Sequence, residues 1–440
     1  MEGQSNPALE AEIGRRIRER GRITFAEFMD LALYHPQHGY YRTNRQKIGP
    51  RSDFLTSPET HPVFGALVAL QLEQMWRILG NPPVFTVVEM GGGTGALCRS
   101  ILEYSQKSMP EFYEAVRYVV VERQGRDDEA QEGDGQSPFP VQAEHRDKVL
   151  YTLEARTEFP LSLWERVGVR AAPDASSQNP FVEGGNPEAL STGVVGCFLS
   201  NELVDAFPVH AVTFADRQLR EVFVGLSGDG FVEETGDPST SELVAYFHRL
   251  GLWPGDGYRA EVNLEALGWM GRVARALDKG FVLTIDYGFP AEELYSDKRR
   301  AGTLMCYYRH TYSHNPFTRV GAQDMTTHVD FTSLIHAGLR HGLRFTGLIS
   351  QADFLSNLGL EAFANALGNA GLAPAVYYDN KFALRRLVEA QGLGRFQVLV
   401  QHKGVVEPAL DCLNPCNDRK RLLIGRGSMP FIPLKTTTDE

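Results

Sequence analysis

The chain has 440 residues, which suggests two or three domains at the usual size of about 150 residues each. Hydrophobic residues make up 42% and charged residues 22%, so the chain can bury a sizeable core and is not of the disordered class. Its formal net charge of −11 argues against a nucleic-acid-binding protein that attracts phosphate over its whole surface, and it mildly favours a basic peptide as substrate.

The five cysteines form neither a disulfide framework nor a zinc site. Cys98, Cys197 and Cys306 stand singly in apolar contexts, and Cys412 and Cys416 lack the further ligands that zinc requires. No apolar run approaches the roughly 20 residues of a membrane span. The N-terminus resembles neither a secretion signal nor a mitochondrial transit peptide. We therefore expect reduced thiols, no metal, no membrane span and a cytoplasmic location.

Residues 1–80 are expected to form an N-terminal helical segment. Two short helices are predicted between residues 9 and 35, the second starting after Thr24, a favourable N-cap residue. Another helix is predicted after Pro58, because apolar residues there recur at helical spacing and Pro58 and Glu59 suit a first helical turn.

Residues 81–405 have the pattern of an α/β core. The short β-rich run Phe85–Glu89 is followed at once by glycines and by a helical run, Ala96–Leu102, which is how a doubly wound sheet begins. Further strands are predicted at residues 117–122, 149–153, 194–200, 280–286, 343–349 and 396–401. The pattern thus predicts a Rossmann-like, seven-stranded sheet with helices on both faces.

Three stretches are predicted to be insertions into this core. Residues 123–145 are acidic and rich in Gly and Gln, and residues 160–190 mix Pro, Gly, Ser and Asn. Residues 210–260 contain a predicted hairpin (211–226) and a helix near 243–249, and are expected to form a lid or small inserted subdomain. Residues 406–440 are expected to be a C-terminal tail.

The glycine loop fits two cofactor templates. Gly91-x-Gly93-x-x-Ala96 satisfies the dinucleotide fingerprint, whereas Glu89-x-Gly91-x-Gly93-x-Gly95 matches the loop that holds S-adenosylmethionine. Glycines let the backbone approach either cofactor closely. A carboxylate at position 89 favours a sulfonium cation and opposes a pyrophosphate at the helix N-terminus. The loop therefore favours S-adenosylmethionine, with a dinucleotide or a purely structural turn as the alternatives.

Polar residues also follow the second and fourth strands. Glu122 can accept hydrogen bonds from the ribose hydroxyls of either cofactor, and the alternative is a solvated strand-end acid. Asn201, Glu202 and Asp205 lie where cofactor and substrate should meet. We assign Asn201 to the cofactor, with helix capping as the alternative. Carboxylates such as Glu202 and Asp205 would orient a guanidinium and stabilise the cation that remains after methyl transfer.

Three more residues are candidates for the acceptor site. Asp53 precedes the core, while His328 and Asp330 lie beyond the fifth strand. A doubly wound sheet can bring such segments together over the carboxyl ends of its strands. We predict that Asp53 joins the acceptor carboxylates, with His328 and Asp330 as orienting or proton-handling groups. A structural role is the alternative for His328, as for any lone histidine.

Five motifs in chain order resemble those of the MidA-like family of class I S-adenosylmethionine-dependent methyltransferases: Gly39–Tyr41, Ser52–Glu59, Glu89–Gly95, Ser200–His210 and Asp324–Phe331. The resemblance implies a seven-stranded sheet with an antiparallel last strand, S-adenosylmethionine as cofactor and a protein arginine as acceptor. Since the family includes a mitochondrial arginine methyltransferase that assists respiratory complex I assembly, it also implies a complex I subunit as partner. In this chain the loop reads Met-Gly-Gly-Gly, where the family more often has a Gly-Pro-Gly pattern.

Three other functions stay open at this point. A small-molecule methyltransferase would have a closed pocket in place of an acidic peptide groove. A nicotinamide-dependent oxidoreductase would bind NAD in place of S-adenosylmethionine. An assembly chaperone would bind the cofactor without transferring its methyl group.

Overall fold

A computed structural model describes residues 5–42, 56–123, 145, 147–154, 193–228, 230–414, 430 and 432. Asp53 and Cys416 lie outside the described residues, as do the segment 160–190, nearly all of 123–145 and most of the tail. The described helices are α1 Pro7–Arg20, α2 Phe25–Tyr34, α3 Ser57–Thr60, α4 Val63–Ile78, α5 Ala96–Ser108, α6 Pro110–Ala115, α7 Glu242–Leu250, α8 Leu264–Ala276, α9 Ala291–Leu294, α10 Phe331–Arg340, α11 Gln351–Asn357, α12 Leu360–Gly368 and α13 Pro374–Leu387. The described strands are β1 Ile23–Thr24, β2 Phe85–Met90, β3 Val116–Arg123, β4 Val149–Glu154, β5 Val194–Asn201, β6 His210–Ala215, β7 Gln218–Ser227, β8 Gly230–Gly236, β9 Arg259–Val262, β10 Leu277–Asp286, β11 Gly288–Phe289, β12 Met305–Tyr308, β13 Thr311–Ser313, β14 Asp324–Thr326, β15 Val329–Asp330, β16 Arg344–Ser350 and β17 Gln397–Lys403.

A mixed seven-stranded sheet forms the centre of the molecule, in the order β16-β17-β10-β5-β2-β3-β4. The five strands from β10 to β4 are parallel, and β17 runs antiparallel to both of its neighbours. All seven predicted core strands are present, so the predicted fold class is confirmed. Both faces are apolar because both are covered: α4 and α5 pack on one face, and α8 and α10 pack on the other.

A second, five-stranded sheet is built around the predicted insertion, in the order β1-β7-β6-β9 with β8 also paired to β7. The predicted hairpin is β6–β7, and the predicted helix is α7. Side chains alternate along β6, so that Ala211 faces α1 and α2 while Val212 and Phe214 face α7. Both faces of β6 are therefore buried.

The N-terminal helices belong with this second sheet. Thr24 caps α2 as predicted, its Oγ1 accepting the Glu27 N–H at 3.1 Å. Ile23 pairs with Val224 of β7, and α1 and α2 bury their apolar faces there, whereas α4 packs on the central sheet. The expected single segment 1–80 is thus divided between two packing units. An apolar stripe shows that a helix is buried, but it does not show against what.

Among the residues that the structure describes, no helix combines the length and apolar character needed to cross a membrane. The four cysteines in this part of the chain, Cys98, Cys197, Cys306 and Cys412, are all buried.

Candidate active site

The candidate site lies at the carboxyl ends of the parallel strands of the central sheet, where open α/β sheets bind ligands. β2 ends in the glycine loop, β3 ends near Glu122, β5 runs into Asn201 and β10 ends at Asp286. Because β2 lies between β3 and β5, and β5 lies between β2 and β10, these four strand ends are neighbours.

The glycine loop is a tight turn that leaves its backbone open on one side. Gly91, Gly93 and Gly95 have φ values of +76°, +57° and +73°, which other residues rarely adopt. A Cβ on Gly92 would lie 2.4 Å from Val120 Cγ1. Gly93 and Thr94 are exposed. The loop thus offers backbone to a cofactor at a distance that side chains would not allow.

Glu122 lies against this loop, its Oε1 accepting the Gly93 N–H at 2.9 Å. Burial raises the pKa of Glu122, and the Gly93 hydrogen bond and the nearby Arg42 oppose that rise. A carboxylate here is placed to receive hydroxyl donors from a nucleoside seated on the loop. Glu122 is therefore not merely a solvated strand-end acid.

Glu89 is buried near the end of β2, just before the glycine loop. Only 3% of the residue is exposed, and its Oε2 accepts the Tyr118 hydroxyl at 2.7 Å. Burial raises the pKa of Glu89 to about 8. The sequence places Glu89 at the end of a strand. In the structure β2 continues through Met90, and position 89 shares the face of Val87, towards α4 and α5. The assignment of Glu89 to the cofactor stays a prediction, and its charge can act on a cofactor through space.

Asn201 and Glu202 begin a strained turn after β5. Glu202 has φ +52°, and its N–H donates to Ile285 O at 2.9 Å. Its Oε1 accepts from Asn201 Nδ2 at 3.1 Å and from the Ser57 N–H at 3.3 Å. A 3-10 turn, Val204–Ala206, follows in place of an α-helix, so Asn201 has no helix to cap.

Asp205 is buried with one free oxygen. Its Oδ2 accepts the Tyr287 hydroxyl at 2.7 Å, and its Oδ1 has no hydrogen-bond partner among the described residues. Asp286 holds the turn, its Oδ2 accepting the N–H groups of Leu203, Val204 and Asp205 at 3.2, 2.9 and 3.4 Å. Asp286 and Tyr287 were not among the predicted site residues, although the fifth predicted strand ends at Asp286.

The three carboxylates Glu202, Asp205 and Asp286 make this a site for positive charge. Burial raises the pKa of Asp205 to about 6. Burial and the neighbouring Asp205 raise the pKa of Glu202 to about 8. The pKa of Asp286 is raised by burial, then by Asp205 and Glu202. A cation bound here would relieve the repulsion and return these groups to their ionised forms.

Two of the distant motifs meet beside this turn. The Tyr41 hydroxyl donates to Asp324 Oδ1 at 2.9 Å. Burial raises the pKa of Tyr41, and both Asp324 and Asp205 contribute. Tyr34 donates to Ala206 O at 2.9 Å. Tyrosine rings therefore stand around the acidic turn, and sequence reasoning missed the tyrosine–aspartate pairing.

His328 and Asp330 differ in what they contact. The His328 ring lies edge-on to Tyr287, with centroids 5.6 Å apart, and burial lowers its pKa to about 4. It is therefore neutral beside the acidic turn. Asp330 caps α10, accepting the Ser333 N–H at 3.1 Å, and its other oxygen accepts the Tyr246 hydroxyl at 2.5 Å. The structure thus places the carboxylate of Asp330 in a helix cap, and its role as an orienting or proton-handling group stays a prediction.

The sheet order, the antiparallel β17, the glycine loop after β2 and the carboxylate after β3 define the class: this is an S-adenosylmethionine-dependent methyltransferase of the α/β type. The open loop backbone and Glu122 fit the nucleoside of that cofactor. The chain belongs to the family described as putative S-adenosyl-L-methionine-dependent methyltransferases, which it matches over residues 67–349.

Relatives and a solved structure agree with this assignment. The chain is 28% identical over 418 residues to the Drosophila melanogaster "protein arginine methyltransferase NDUFAF7 homolog, mitochondrial", covering 92% of this chain and 87% of that one. It is 25% identical over 403 residues to the Mus musculus protein arginine methyltransferase NDUFAF7, with 88% and 83% covered. A likely methyl transferase from Burkholderia thailandensis, solved with S-adenosyl-homocysteine bound, superposes with a TM-score of 0.73 at 28% identity, covering 92% and 94%.

These comparisons confirm the cofactor and the enzyme class, and they decide against a nicotinamide-dependent oxidoreductase. They also correct one expectation. The Drosophila and mouse relatives are mitochondrial proteins, which contradicts the cytoplasmic location expected from the N-terminal composition. Composition near the terminus was too weak a basis for that expectation.

Proposed function

We propose that the protein transfers a methyl group from S-adenosylmethionine to an arginine side chain of a partner protein. One observation carries the proposal: Asp205 Oδ1 is buried and unpartnered next to a second carboxylate with a raised pKa, Glu202. Such oxygens favour a ligand that donates hydrogen bonds and carries positive charge. A guanidinium has five N–H donors and no acceptor, so it satisfies both requirements.

The roles of the residues follow from the charge balance. The bound cofactor supplies an electrophilic methyl group, and a guanidinium nitrogen displaces the sulfur in line. Asp205 and Glu202 would hold the guanidinium in that line, and positioning of this kind supplies much of the rate. A guanidinium has a pKa above about 12, so a proton must leave as the new N–C bond forms. Once the bound cation has returned Glu202 to its ionised form, its carboxylate can receive that proton, whereas His328, whose pKa is lowered to about 4, is a weak base.

The acceptor class is also supported by relatives, since the Drosophila and mouse proteins are named protein arginine methyltransferases. The finer proposal, that the partner is a subunit of respiratory complex I, rests on the resemblance of the five motifs alone. We keep it as the first partner to test.

The experiment uses tritiated S-adenosylmethionine, the full chain and an array of arginine-containing peptides drawn from complex I subunits. Each peptide has a matched copy with lysine in place of arginine. We expect label in some arginine peptides and in none of their lysine copies, and methylarginine after acid hydrolysis. Equal labelling of both copies would contradict an arginine acceptor. Labelling of small molecules from a cell extract, with no peptide labelled, would favour the small-molecule alternative.

A further inference from the structure

Glu202 is held from outside its own turn by α3. Ser57, the first residue of this helix, is fully buried, and its backbone N–H donates to Glu202 Oε1 at 3.3 Å. The Ser57 hydroxyl donates to Gln351 Oε1 at 3.0 Å. The amide of Gln351 in turn donates to Leu387 O at 2.9 Å. A chain of buried hydrogen bonds therefore runs from α13 through α11 to the acceptor turn.

The other end of α3 contacts the cofactor loop. Glu59 accepts a hydrogen bond from the Thr94 hydroxyl of the glycine loop. Just beyond the helix, His61 Nε2 lies 2.9 Å from Asn380 Oδ1, both side chains being fully buried. The helix is thus fixed on α13 and touches both the loop that receives the cofactor and the carboxylate that faces the acceptor.

We propose that Ser57 is a positioning residue for methyl transfer, its N–H orienting the Glu202 carboxylate and its hydroxyl fixing α3 on Gln351. The proposal rests on the function proposed above. The backbone of Glu202 has a left-handed conformation. Among the described residues, its carboxylate accepts hydrogen bonds from two residues only, the adjacent Asn201 and Ser57. Small displacements of a reacting group are costly, about a hundred-fold for 1 Å.

Two substitutions of Ser57 distinguish the effect of its backbone N–H from that of its hydroxyl. Ser57→Ala removes the hydroxyl and keeps the N–H, whereas Ser57→Pro removes both. Proline suits the first position of a helix. The preceding Thr56 has φ −90° and ψ 165°, an extended conformation that proline tolerates before it. Proline also places its Cδ where the N–H pointed, 3.3 Å from nitrogen to Glu202 Oε1, so the difference between the two variants reports loss of the N–H contact together with the displacement of Glu202 that follows.

The measurement is the affinity of methylguanidinium for the S-adenosylhomocysteine-bound protein as a function of pH. Asp205 and Asp286 lie next to the Glu202 carboxylate, so their titration also contributes to the dependence of affinity on pH. The Glu202→Gln variant shows the pH dependence that these two residues give without Glu202. The N–H favours the ionised carboxylate. In Ser57→Pro we expect the upper midpoint of the curve to move up by about one pH unit. In Ser57→Ala we expect a smaller shift, and S-adenosylhomocysteine is kept at saturating concentration for both variants.

A folded Ser57→Pro protein with the wild-type midpoint would overturn the proposal, provided that Glu202→Gln removes that midpoint. If Glu202→Gln leaves both affinity and midpoint unchanged, the proposed function fails as well. Should Ser57→Pro not fold, Gln351→Met loosens α3 from a different element and should shift the midpoint in the same direction. No shift in that variant would equally contradict a positioning role.

Discussion

Asp205 Oδ2 accepts a hydrogen bond from the Tyr287 hydroxyl, and Asp205 Oδ1 has no hydrogen-bond partner among the described residues. An unsatisfied buried acceptor costs on the order of 1–3 kcal/mol, so the surrounding packing must hold it there. That cost is recovered when a donor-rich ligand arrives. The same atom that weakens the free protein would thus contribute to selection of the acceptor.

Glu202→Gln tests the charge of the acceptor site while keeping its shape. We expect S-adenosylmethionine affinity within a few-fold of wild type and methyl transfer lowered by roughly a hundred-fold or more, the usual effect of losing an electrostatic stabiliser. Asp205→Asn should behave alike, because its carboxylate faces the site and caps no α-helix. Isothermal titration and peptide labelling measure the two quantities. Normal turnover in Glu202→Gln would remove the residue from the mechanism.

Glu122→Ala tests the nucleoside end of the site. Loss of a charged acceptor typically costs about 1.5–3 kcal/mol, so S-adenosylhomocysteine should bind roughly ten- to a hundred-fold more weakly. Glu111→Ala is the matched control, since this exposed glutamate lies on α6. A change below about two-fold in Glu122→Ala would show that the ribose does not contact this carboxylate.

A substitution in the glycine loop tests whether this element binds the cofactor. Gly93→Val places a β-branched side chain at φ +57°, so the loop must change shape. Cofactor binding should be abolished while the far-ultraviolet circular dichroism stays that of the wild type. Gly80→Val is the control: Gly80 also has a positive φ, +88°, but it is exposed and lies in a turn after α4. If Gly93→Val binds S-adenosylhomocysteine normally, the loop is not the cofactor site.

Elements were easier to predict than the contacts between them. Each core strand is a local apolar run, and all seven were found. Tyr41 and Asp324 are 283 positions apart, so no local pattern links them. Asp330 is predicted as a site residue because it flanks His328, and the structure shows that it also caps α10, with Ser333 three residues on. A polar residue at the end of a strand gives the same sequence pattern whether it contacts a ligand or caps a helix. Only the tertiary packing distinguishes the two roles.

For the whole molecule, buried carboxyls predict a pH dependence. Burial raises the pKa of Glu89 and Glu202 from 4.5 to about 8. The folded state therefore holds these protons more tightly than the unfolded state does. Their favourable contribution is complete below about pH 4.5 and is lost as the pH rises towards about 8. Glu89→Gln keeps an acceptor for Tyr118 and should flatten the dependence, whereas Glu111→Gln should not. The melting temperatures of the cofactor-free wild type, Glu89→Gln and Glu111→Gln proteins between about pH 4.5 and pH 8 test this prediction. An equal change of melting temperature with pH in all three proteins would contradict it.

The pairing of Ile23 with Val224 affects the order in which parts of the chain fold during synthesis. A ribosome adds roughly 5–20 residues per second, so the partner of β1 emerges on the order of ten seconds or more after β1 itself. Throughout that interval Leu9, Ile13 and Phe28 have no sheet to cover them, although all three are fully buried in the finished protein. Contacts between such distant segments also form slowly. The apolar faces of α1 and α2 therefore stay uncovered until β7 has been made, and their packing onto β7 completes the second packing unit.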